Sequence, residues 1–425
     1  MADTPGLNHP DSIDSQDPNQ HPDEKKPKSR RPANTAFRQQ RLKAWQPILT
    51  PKTVLPLFFA IGIIFAPIGG GLLYASRAVQ EISIDYSHCQ TDAPISPETA
   101  AVPSSAYEHY FGKGNTTWGE DDRRPRWSRR NLTEEEKTFD GVPFKYDVYL
   151  CQLEFTIENE MKGPVYFYYR LTNFYQNHRR YAKSFNIDQL GGKAVSESSV
   201  HSSDCTPLTT AVDPRDGVKK PYYPCGLAAN SVFNDTFGNP VRVGAANDPV
   251  PYLMSNKSIA WNSDKELYGK SKYNLATDVI PPPNWEGRYP NGYTADRYPD
   301  LVEDESFQVW MRLAGLPTFS KLAQKSNDNM PEGKYQLNIT SFFNVTEYGG
   351  TKSIVISTGT VMGGRNPFLG IAYVVVGGIC VVLGALFLVT HLVKPRKLGD
   401  HTYLSWNNVG AHSGPSDGVL AGDRP

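Results

Sequence analysis

Two long apolar runs interrupt an otherwise polar chain. The first covers residues 54–76 and has no charged residue between Lys52 and Arg77; the second covers residues 367–393, where only His391 could carry a charge. A helix needs about 20 apolar residues to cross a bilayer, and buried helices of soluble proteins normally keep a polar stripe. The runs therefore predict transmembrane helices at 54–76 and 367–393.

A pair of buried core helices is the alternative for both runs, and a cleaved signal peptide is the alternative for the first. The first run begins only at residue 54, behind a long polar tail. It also exceeds the apolar segment of a typical signal peptide. We therefore interpret it as a signal anchor.

Most basic residues near the two runs lie before the first run or after the second, which we call the outer flanks. On the inner flanks, which face the region between the runs, the nearby basic residues are Arg77 and Arg365. The outer ones are Arg38, Arg41, Lys43, Lys52, Lys394, Arg396 and Lys397. An excess of Lys and Arg marks the cytosolic side. Both tails are therefore predicted to be cytosolic, and residues 77–366 to form a luminal or extracellular domain.

Cysteines and glycosylation triplets agree with an ectodomain between the helices. Cys380 lies in the second run, and the other cysteines lie between the runs, at Cys89, Cys151, Cys205 and Cys225. An even number in an oxidising compartment predicts two disulfides. Three connectivities are possible, and we prefer the pairing of sequence neighbours. The Asn-x-Ser/Thr triplets, which predict glycosylation, are Asn115, Asn131, Asn234, Asn256, Asn338 and Asn344.

The ectodomain contains segments rich in β-branched and aromatic residues. They are 149–157, 165–171, 336–343 and 353–357, and Gly, Pro or Asn bounds them, as is typical of strands. A helical period is evident at 307–325. The predicted fold is a membrane protein in which two transmembrane α-helices flank a large, mainly antiparallel β-sandwich ectodomain with long disulfide-tied loops.

The tails differ in composition. Residues 1–33 are polar and predicted to be disordered, and residues 394–425 form the second tail. Residues 34–53 mix apolar and basic side chains, with Phe37, Arg38, Arg41 and Trp45 as candidate partner-binding residues. This segment either rests on anionic lipid or docks onto the cytosolic face of a partner.

The sequence shows no pattern of catalytic residues. It contains no P-loop, no zinc-type spacing of Cys and His, no G-x-S-x-G elbow and no phosphorylated-aspartate motif of transport ATPases. We expect a protein that is not an enzyme and that binds no metal, cofactor or nucleic acid.

Residues 173–181, NFYQNHRRY, form the most conspicuous polar run. They either satisfy buried backbone groups at a strand end or form a partner-binding surface, and we favour the structural role. The candidate residues are Asn173, Tyr175, Asn177, His178, Arg179 and Arg180.

Small residues recur along both apolar runs. They are Gly62, Ala66 and Gly70 in the first run, and Gly370, Gly377 and Gly384 in the second. Small residues let helices approach closely in lipid. The spacing predicts a packing face, either between the two helices or with a partner.

Six segments resemble the Cdc50/Lem3 family, whose members are accessory subunits of P4-type ATPase lipid flippases. The segments are NTAFRQQRLKAWQPILTP from Asn34, EISIDYSHC from Glu81, YYRLTNFYQNHRRY from Tyr168, YYPCGLAANSVFNDTF from Tyr222, VWMRLAGLPTFSKL from Val309 and GTKSIVISTGTVMGGRNPFLGIAYVVVG from Gly350. The resemblance covers about residues 34–393.

The resemblance implies a heterodimer with a P4-type ATPase that carries the phosphorylated aspartate and moves phospholipid to the cytosolic leaflet. Family members support folding and endoplasmic reticulum export of the ATPase, and its phosphorylation cycle. They reside in the endoplasmic reticulum, Golgi, endosomes or plasma membrane, with membrane phospholipids as further partners.

The resemblance also carries expectations for particular residues. Trp310 and Arg312 are expected to hold the luminal surface in shape together with residues 173–181. Pairing of Cys89 with Cys151 is the pattern of fungal-like members. The segment IAWNSDKEL from Ile259 departs from the tryptophan-rich sequence of the family.

An independent receptor or adhesion ectodomain is the competing class. Such a protein would fold and leave the endoplasmic reticulum without an ATPase. It would also have no need of the specific pre-membrane stretch within residues 34–53.

Overall fold

The computed structural model describes residues 35–42, 49–112, 118–132, 148–244, 249–359 and 364–395, and the backbone of 138–139 and 142–143. The chain divides into two compact units, residues 58–386 and the chain ends 1–57 with 387–425. In the unit of the chain ends, residues 35–42 form a turn in which the Gln39 N–H donates to the Thr35 carbonyl at 2.9 Å.

The region between the two long helices contains many strands. In the described residues they are β1 (Glu81–Asp85), β2 (Ala100–Ala101), β3 (Tyr107–Tyr110), β4 (Arg126–Asn131), β5 (Thr138–Phe139), β6 (Val142–Pro143), β7 (Tyr149–Ile157), β8 (Val165–Leu171), β9 (Thr210–Val212), β10 (Lys219–Pro221), β11 (Thr236–Phe237), β12 (Val241–Val243), β13 (Val250–Pro251), β14 (Phe319–Ser326), β15 (Gly333–Ser341) and β16 (Lys352–Thr358).

Two helices are long and the others are short. In the same residues they are α1 (Pro51–Ala78), α2 (Cys89–Asp92), α3 (Glu120–Arg123), α4 (Arg179–Lys183), α5 (Ile187–Leu190), α6 (Glu197–His201), α7 (Leu227–Asn230), α8 (Asn262–Lys265), α9 (Glu305–Met311) and α10 (Phe368–Val393). Both α1 and α10 are long and apolar enough to cross a membrane.

Two antiparallel sheets form a sandwich. The five-stranded sheet has the order β14-β8-β16-β1-β3, and the seven-stranded sheet has the order β13-β12-β15-β7-β4-β2, with β11 also paired to β15. The prediction of a mainly antiparallel, β-rich domain between two apolar helices is confirmed.

Alternating side chains of both sheets fill the space between them. On β8, every second residue from Val165 to Leu171 is buried, whereas the residues between them are half-buried. Leu153 of β7 and Leu337 of β15 share one apolar core with Val165 and Phe167. Burying such a side chain contributes about 1.5–3 kcal/mol, so this alternation explains why these segments form a sandwich.

The chain between β8 and β14 adds a second apolar core made mainly of aromatic rings. Trp285, Tyr289, Tyr293 and Phe307 pack together there. The Trp285 indole N–H donates to the Ala229 carbonyl at 2.9 Å, so its polar atom is satisfied inside the core. Long loops are thereby held as a folded layer of their own.

The two long helices leave from the same end of the five-stranded sheet. β1 begins three residues after the end of α1, and its Glu81 pairs with Ser357 near the end of β16, the last strand before α10. We call this the helix-proximal end. The opposite, helix-distal end carries Leu171 of β8, which pairs with Lys352 of β16.

The helical period predicted for 307–325 is wrong beyond its first turns. α9 ends at Met311, and the segment from Phe319 is strand β14. Gly315 and Pro317 lie between the two elements. Glycine is a poor helix former and the residue before proline disfavours the helical conformation, so the helix cannot continue.

Candidate partner-binding site

Residues 173–181 begin where β8 ends, at the helix-distal end of the five-stranded sheet. Phe174 points inward, and its ring centroid lies 5.5–6.2 Å from five other aromatic rings. These rings belong to Tyr181, Trp310, Phe319, Phe343 and Tyr348. Aromatic pairs each contribute about 0.5–1.5 kcal/mol beyond the burial of their area, so Phe174 ties this run to three other segments.

Three amides in the run hold neighbouring loops. Asn173 has a φ of 55° and its side chain donates to the Tyr348 carbonyl. The buried Gln176 side chain accepts from the Ala314 N–H at 2.8 Å, and Asn177 donates to the Gly315 carbonyl at 3.0 Å. The loop before β14 is therefore fixed by side chains of residues 173–181.

Trp310 lies at the centre of the same contacts. It is fully buried, and its indole N–H donates to the Ala228 carbonyl at 2.8 Å. Its ring lies 5.5 Å from that of Phe174 and 6.3 Å from that of Phe319. Trp310 thus connects α9, α7 and β14.

Lys321 of β14 caps the carbonyl end of α9. Its ammonium donates to the carbonyls of Val309 at 3.0 Å and Trp310 at 3.1 Å, and also to that of Arg312. Burial, reinforced by the positive charge of Arg312, lowers the pKa of Lys321 to about 7. Sequence reasoning missed Lys321, because a lysine in a strand normally faces solvent.

Arg312 stacks on a second residue that sequence reasoning passed over. Its guanidinium carbon lies 3.4 Å from the ring centroid of Trp261, and its Nη1 lies 3.3 Å from the Asp264 carboxylate. Trp261 is 62% exposed, so the pair forms part of the surface. The isolated tryptophan in IAWNSDKEL was the available signal, since an exposed tryptophan is common at protein interfaces.

The outward side of residues 173–181 carries aromatic and basic groups. Tyr175 is 55% exposed, and beside its segment Leu316 is 69% exposed. His178, Arg179 and Arg180 are also exposed, and among the described residues no ion pair involves either arginine. We call Tyr175, His178, Arg179, Arg180 and Leu316 the basic aromatic patch. Residues 173–181 therefore have a structural inner side and a free outer side.

Glycines bring the two long helices together. A Cβ added at Gly377 would lie 3.0 Å from the Ala66 nitrogen, and one added at Gly62 would lie 3.1 Å from the Gly377 carbonyl oxygen. Gly370 is buried in the same way against Leu73, and Gly384 is buried against Phe58 and Phe59. The backbones can approach this closely only because side chains are absent.

Gly70 does not take part in this contact. A Cβ added there would meet nothing within 4 Å, whereas one at Gly69 would lie 2.7 Å from the Val374 nitrogen. Gly69 follows Gly62 by seven residues, which is nearly two helical turns. Gly70 is rotated away from α10 and faces outward.

Two disulfides join sequence neighbours. Cys89 is bonded to Cys151, which links α2 to β7, and Cys205 is bonded to Cys225 beside the β9–β10 hairpin. The fifth cysteine, Cys380, is free within α10.

The glycosylation triplets lie at different depths. The exposed asparagines are Asn131, Asn256, Asn338 and Asn344. Asn234 is half-buried, and Asn115 lies outside the described residues. Asn338 projects from the outer face of the seven-stranded sheet, where its side-chain oxygen accepts from Gln152 at 3.2 Å. Among the described residues, the strands of the five-stranded sheet carry no such triplet.

Part of the pre-membrane segment is described. Phe37 is 76% exposed, and Arg38 and Arg41 lie in the same exposed turn. Trp45, the remaining candidate in that segment, lies outside the described residues.

Comparison with known proteins gives a consistent result. The model of the LEM3 (ligand-effect modulator 3) family / CDC50 family matches residues 72–397. The chain is 42% identical to the phospholipid-transporting ATPase accessory subunit CRF1 of Saccharomyces cerevisiae over 90% of each chain. It is 42% identical to the phospholipid-transporting ATPase accessory subunit CDC50 of Chaetomium thermophilum, over 91% of this chain and 93% of the relative.

An animal relative shows the same likeness. Cell cycle control protein 50A of Bos taurus is 39% identical over 85% of this chain and 89% of its own length. The match to the family model, residues 72–397, contains α10, the sandwich and residues 173–181. The chain therefore belongs to the CDC50/LEM3 family.

Proposed function

We propose that this chain is the non-catalytic accessory subunit of a P4-type, phospholipid-transporting ATPase. The observation that carries the proposal is the likeness, over 90% or more of the chain, to relatives that are named accessory subunits of such ATPases. The architecture agrees, since two apolar helices are too few to enclose a transport path and the ectodomain is a scaffold of sheets and tied loops.

The proposed topology places both tails in the cytosol. Residues 77–366 then lie in the lumen or outside the cell. The disulfides support this, because they persist in oxidising compartments. The exposed glycosylation triplets agree, since glycans are added in the secretory pathway. The chain would then travel through the endoplasmic reticulum and Golgi to endosomes or the plasma membrane.

The proposed mechanism is binding to particular states of the ATPase. A subunit that binds the folded ATPase and not the unfolded chain stabilises it by mass action. A subunit that binds one conformation of the transport cycle more tightly raises the population of that conformation. These two effects account for support of folding, export from the endoplasmic reticulum and the phosphorylation cycle during phospholipid transport to the cytosolic leaflet.

Three surfaces are proposed to contact the ATPase in a heterodimer. On the luminal side it is the basic aromatic patch, which combines an exposed tyrosine and leucine with two arginines that form no ion pair within the described part of the chain. Tyr and Arg are enriched in interfaces. In the membrane it is the outward face of α1 around Gly70, and in the cytosol it is the segment of Phe37, Arg38, Arg41 and Trp45.

Purification of the tagged full-length chain in mild detergent, with mass spectrometry of the associated proteins, tests the proposal. We expect a P4-type ATPase in equimolar amount, whose ATP-dependent lipid transport requires this chain. Recovery of a glycosylated chain that leaves the endoplasmic reticulum without an ATPase would instead support an independent receptor.

A further inference from the structure

A row of aromatic and charged side chains crosses the outer face of the five-stranded sheet at its helix-proximal end. Tyr110, Glu81, Ser357 and Tyr166 are directly paired across β3, β1, β16 and β8. Directly paired residues project from the same face of a sheet. Neighbouring strands are about 4.8 Å apart, so the four residues form a row of roughly 14 Å. In that row, the Glu81 carboxylate lies between the two tyrosines. We call these four residues the headgroup row.

The Glu81 carboxylate is buried and lies near two arginines, Arg170 and Arg365. The residue is 9% exposed, and its Oε1 lies 3.7 Å from the Arg170 guanidinium. Burial raises the pKa of Glu81, while Arg170, Ser357 and Arg365 act in the opposite direction. Because burial still has the larger effect, a further cation beside this carboxylate would stabilise its ionised form.

Arg365 stands next to the row. Its guanidinium carbon lies 3.2 Å from the centroid of the Tyr110 ring. It lies three residues before Phe368, the first residue of α10, and β1 starts three residues after α1. Where apolar helices of this length span a bilayer, their ends lie at the level of the lipid headgroups.

We propose that the headgroup row and Arg365 bind the headgroup of a zwitterionic phospholipid in the leaflet that faces the ectodomain. The lipid ammonium lies between Glu81 and Tyr166, and its phosphate contacts Arg365. Aromatic rings with a carboxylate are a known way to hold substituted ammonium groups, and arginine is suited to phosphate. This proposal depends on α1 and α10 spanning the membrane and not on the ATPase.

Non-specific anchoring is the competing explanation. Tyr and Trp are common at membrane interfaces whatever the headgroup, and Arg77 and Tyr74 near the end of α1 are exposed residues of that type. Non-specific anchoring predicts equal binding of zwitterionic and anionic lipids. It also predicts equal effects for Arg77 and Arg365.

The test uses the full-length chain in detergent micelles and short-chain phospholipids. Thermal unfolding is followed while dihexanoyl phosphatidylcholine, phosphatidylethanolamine or phosphatidylglycerol is added. We expect the first two to raise the unfolding midpoint in a saturable way, and phosphatidylglycerol to give no such rise. Phosphocholine without acyl chains should give no rise at the same concentration.

Substitutions locate the site. Glu81→Gln and Arg365→Gln should each weaken the apparent affinity at least tenfold. The matched controls are Glu108→Gln, which lies on the same sheet face opposite Ser83, and Arg77→Gln. Neither control should change the apparent affinity for the lipid. Because Glu81 also accepts from the Arg365 backbone and its variant could fold poorly, Tyr110→Leu provides a second test that leaves the carboxylate in place.

Three results would overturn the proposal. The first is an equal midpoint rise with phosphatidylglycerol. The second is an equal rise with free phosphocholine, which would remove the assignment to a membrane lipid. The third is an unchanged affinity in folded Tyr110→Leu and Arg365→Gln proteins.

Discussion

Glu305, the first residue of α9, shows how a single carboxylate fixes a loop. It accepts from the backbone N–H groups of Ser258 at 2.9 Å, Ile259 at 2.7 Å and Ala260 at 2.9 Å, and from Lys265 at 2.8 Å. Burial opposes its ionisation, but these hydrogen bonds outweigh burial and lower the pKa of Glu305 to about 2. The ionised form is therefore bound more tightly in the folded state.

Replacing Glu305 with Gln should destabilise the protein in a pH-dependent way. The folded pKa lies below the ordinary value of 4.5, so its contribution is complete above pH 4.5 and is lost as the pH falls towards 2. We expect a loss of about 2–3 kcal/mol at pH 7, which shrinks on acidification. Thermal unfolding of both proteins from pH 7 to pH 3 measures it.

Glu303→Gln is the matched control, because the Glu303 side chain is 74% exposed and its partner Lys257 lies 3.6 Å away. It should change stability by less than about 1 kcal/mol. A Glu305→Gln loss that does not depend on pH would show that shape, and not charge, holds the loop.

Lys352 and Asp235 form a buried ion pair in the domain between the two long helices. Their charged atoms are 2.7 Å apart, and the side chains are 3% and 0% exposed. Asp235 also accepts from the Tyr86 hydroxyl at 2.9 Å, and Lys352 donates to Ser341 at 2.8 Å. These contacts join β15 and β16 to Tyr86, the residue after β1, so each charged group has several partners.

Lys352→Met should destabilise the protein by about 3–5 kcal/mol, because it leaves a buried carboxylate without its cation. Adding Asp235→Asn removes that charge and should recover part of the loss. Denaturant unfolding of the two single variants and the double variant measures the coupling. If the single losses simply add, the two groups act independently and the account of the pair is wrong.

At the scale of elements, the helix pair α1–α10 depends on which glycine faces the partner helix. Gly69→Leu should separate the helices, because even a Cβ there would lie 2.7 Å from the Val374 nitrogen. Gly70→Leu is the matched control and should leave the pair intact. The separation of the helices can be followed at Phe65 of α1 and Tyr373 of α10, whose ring centroids are 4.9 Å apart.

Cysteines at positions 65 and 373, in a Cys380→Ser background, should cross-link in the otherwise unchanged chain. Gly69→Leu should lower the cross-linked fraction several-fold, and Gly70→Leu should not. Equal cross-linking in both variants would mean that the helices do not pack through this face.

Sequence pattern predicts the elements that bury one face completely, and it misses those that depend on distant contacts. The segments 149–157 and 165–171 are strands with those bounds, because their apolar residues alternate. β14 reads FSKLAQKS, and its Lys321 is buried only because α9 ends against it. No local sequence pattern indicates that Lys321 is buried.

The same reasoning explains the candidate site. Residues 173–181 could be singled out by composition, but only the fold separates the inward Phe174 and Gln176 from the outward Arg179. The difference between Gly69 and Gly70 is one residue in sequence and a rotation of about 100° on the helix. Small-residue spacing alone does not fix which of the two faces α10.

At the scale of the whole molecule, the two sheets present different surfaces. The seven-stranded sheet carries an exposed glycosylation triplet at Asn338, whereas the described strands of the five-stranded sheet carry none. The basic aromatic patch adjoins the helix-distal end of the five-stranded sheet. A glycan on Asn338 would cover the seven-stranded sheet and leave the strands of the five-stranded sheet open to a protein partner. The exposed triplet at Asn344 lies outside those strands, in the turn between Phe343 and Tyr348.

A glycan placed beside the patch tests this arrangement. Thr318 is exposed and lies two residues after Leu316, and Thr318→Asn completes an Asn-x-Ser triplet with Ser320. If the patch binds the ATPase, the added glycan should reduce co-purification of the ATPase at least tenfold by steric exclusion. Thr318→Gln, which changes the same residue without a glycan, should leave co-purification unchanged, as should Asn338→Gln on the seven-stranded sheet. A mass shift removed by endoglycosidase shows that the new triplet is occupied. Full co-purification of an occupied Thr318→Asn protein would move the luminal contact away from this patch and towards a face that the added glycan cannot reach.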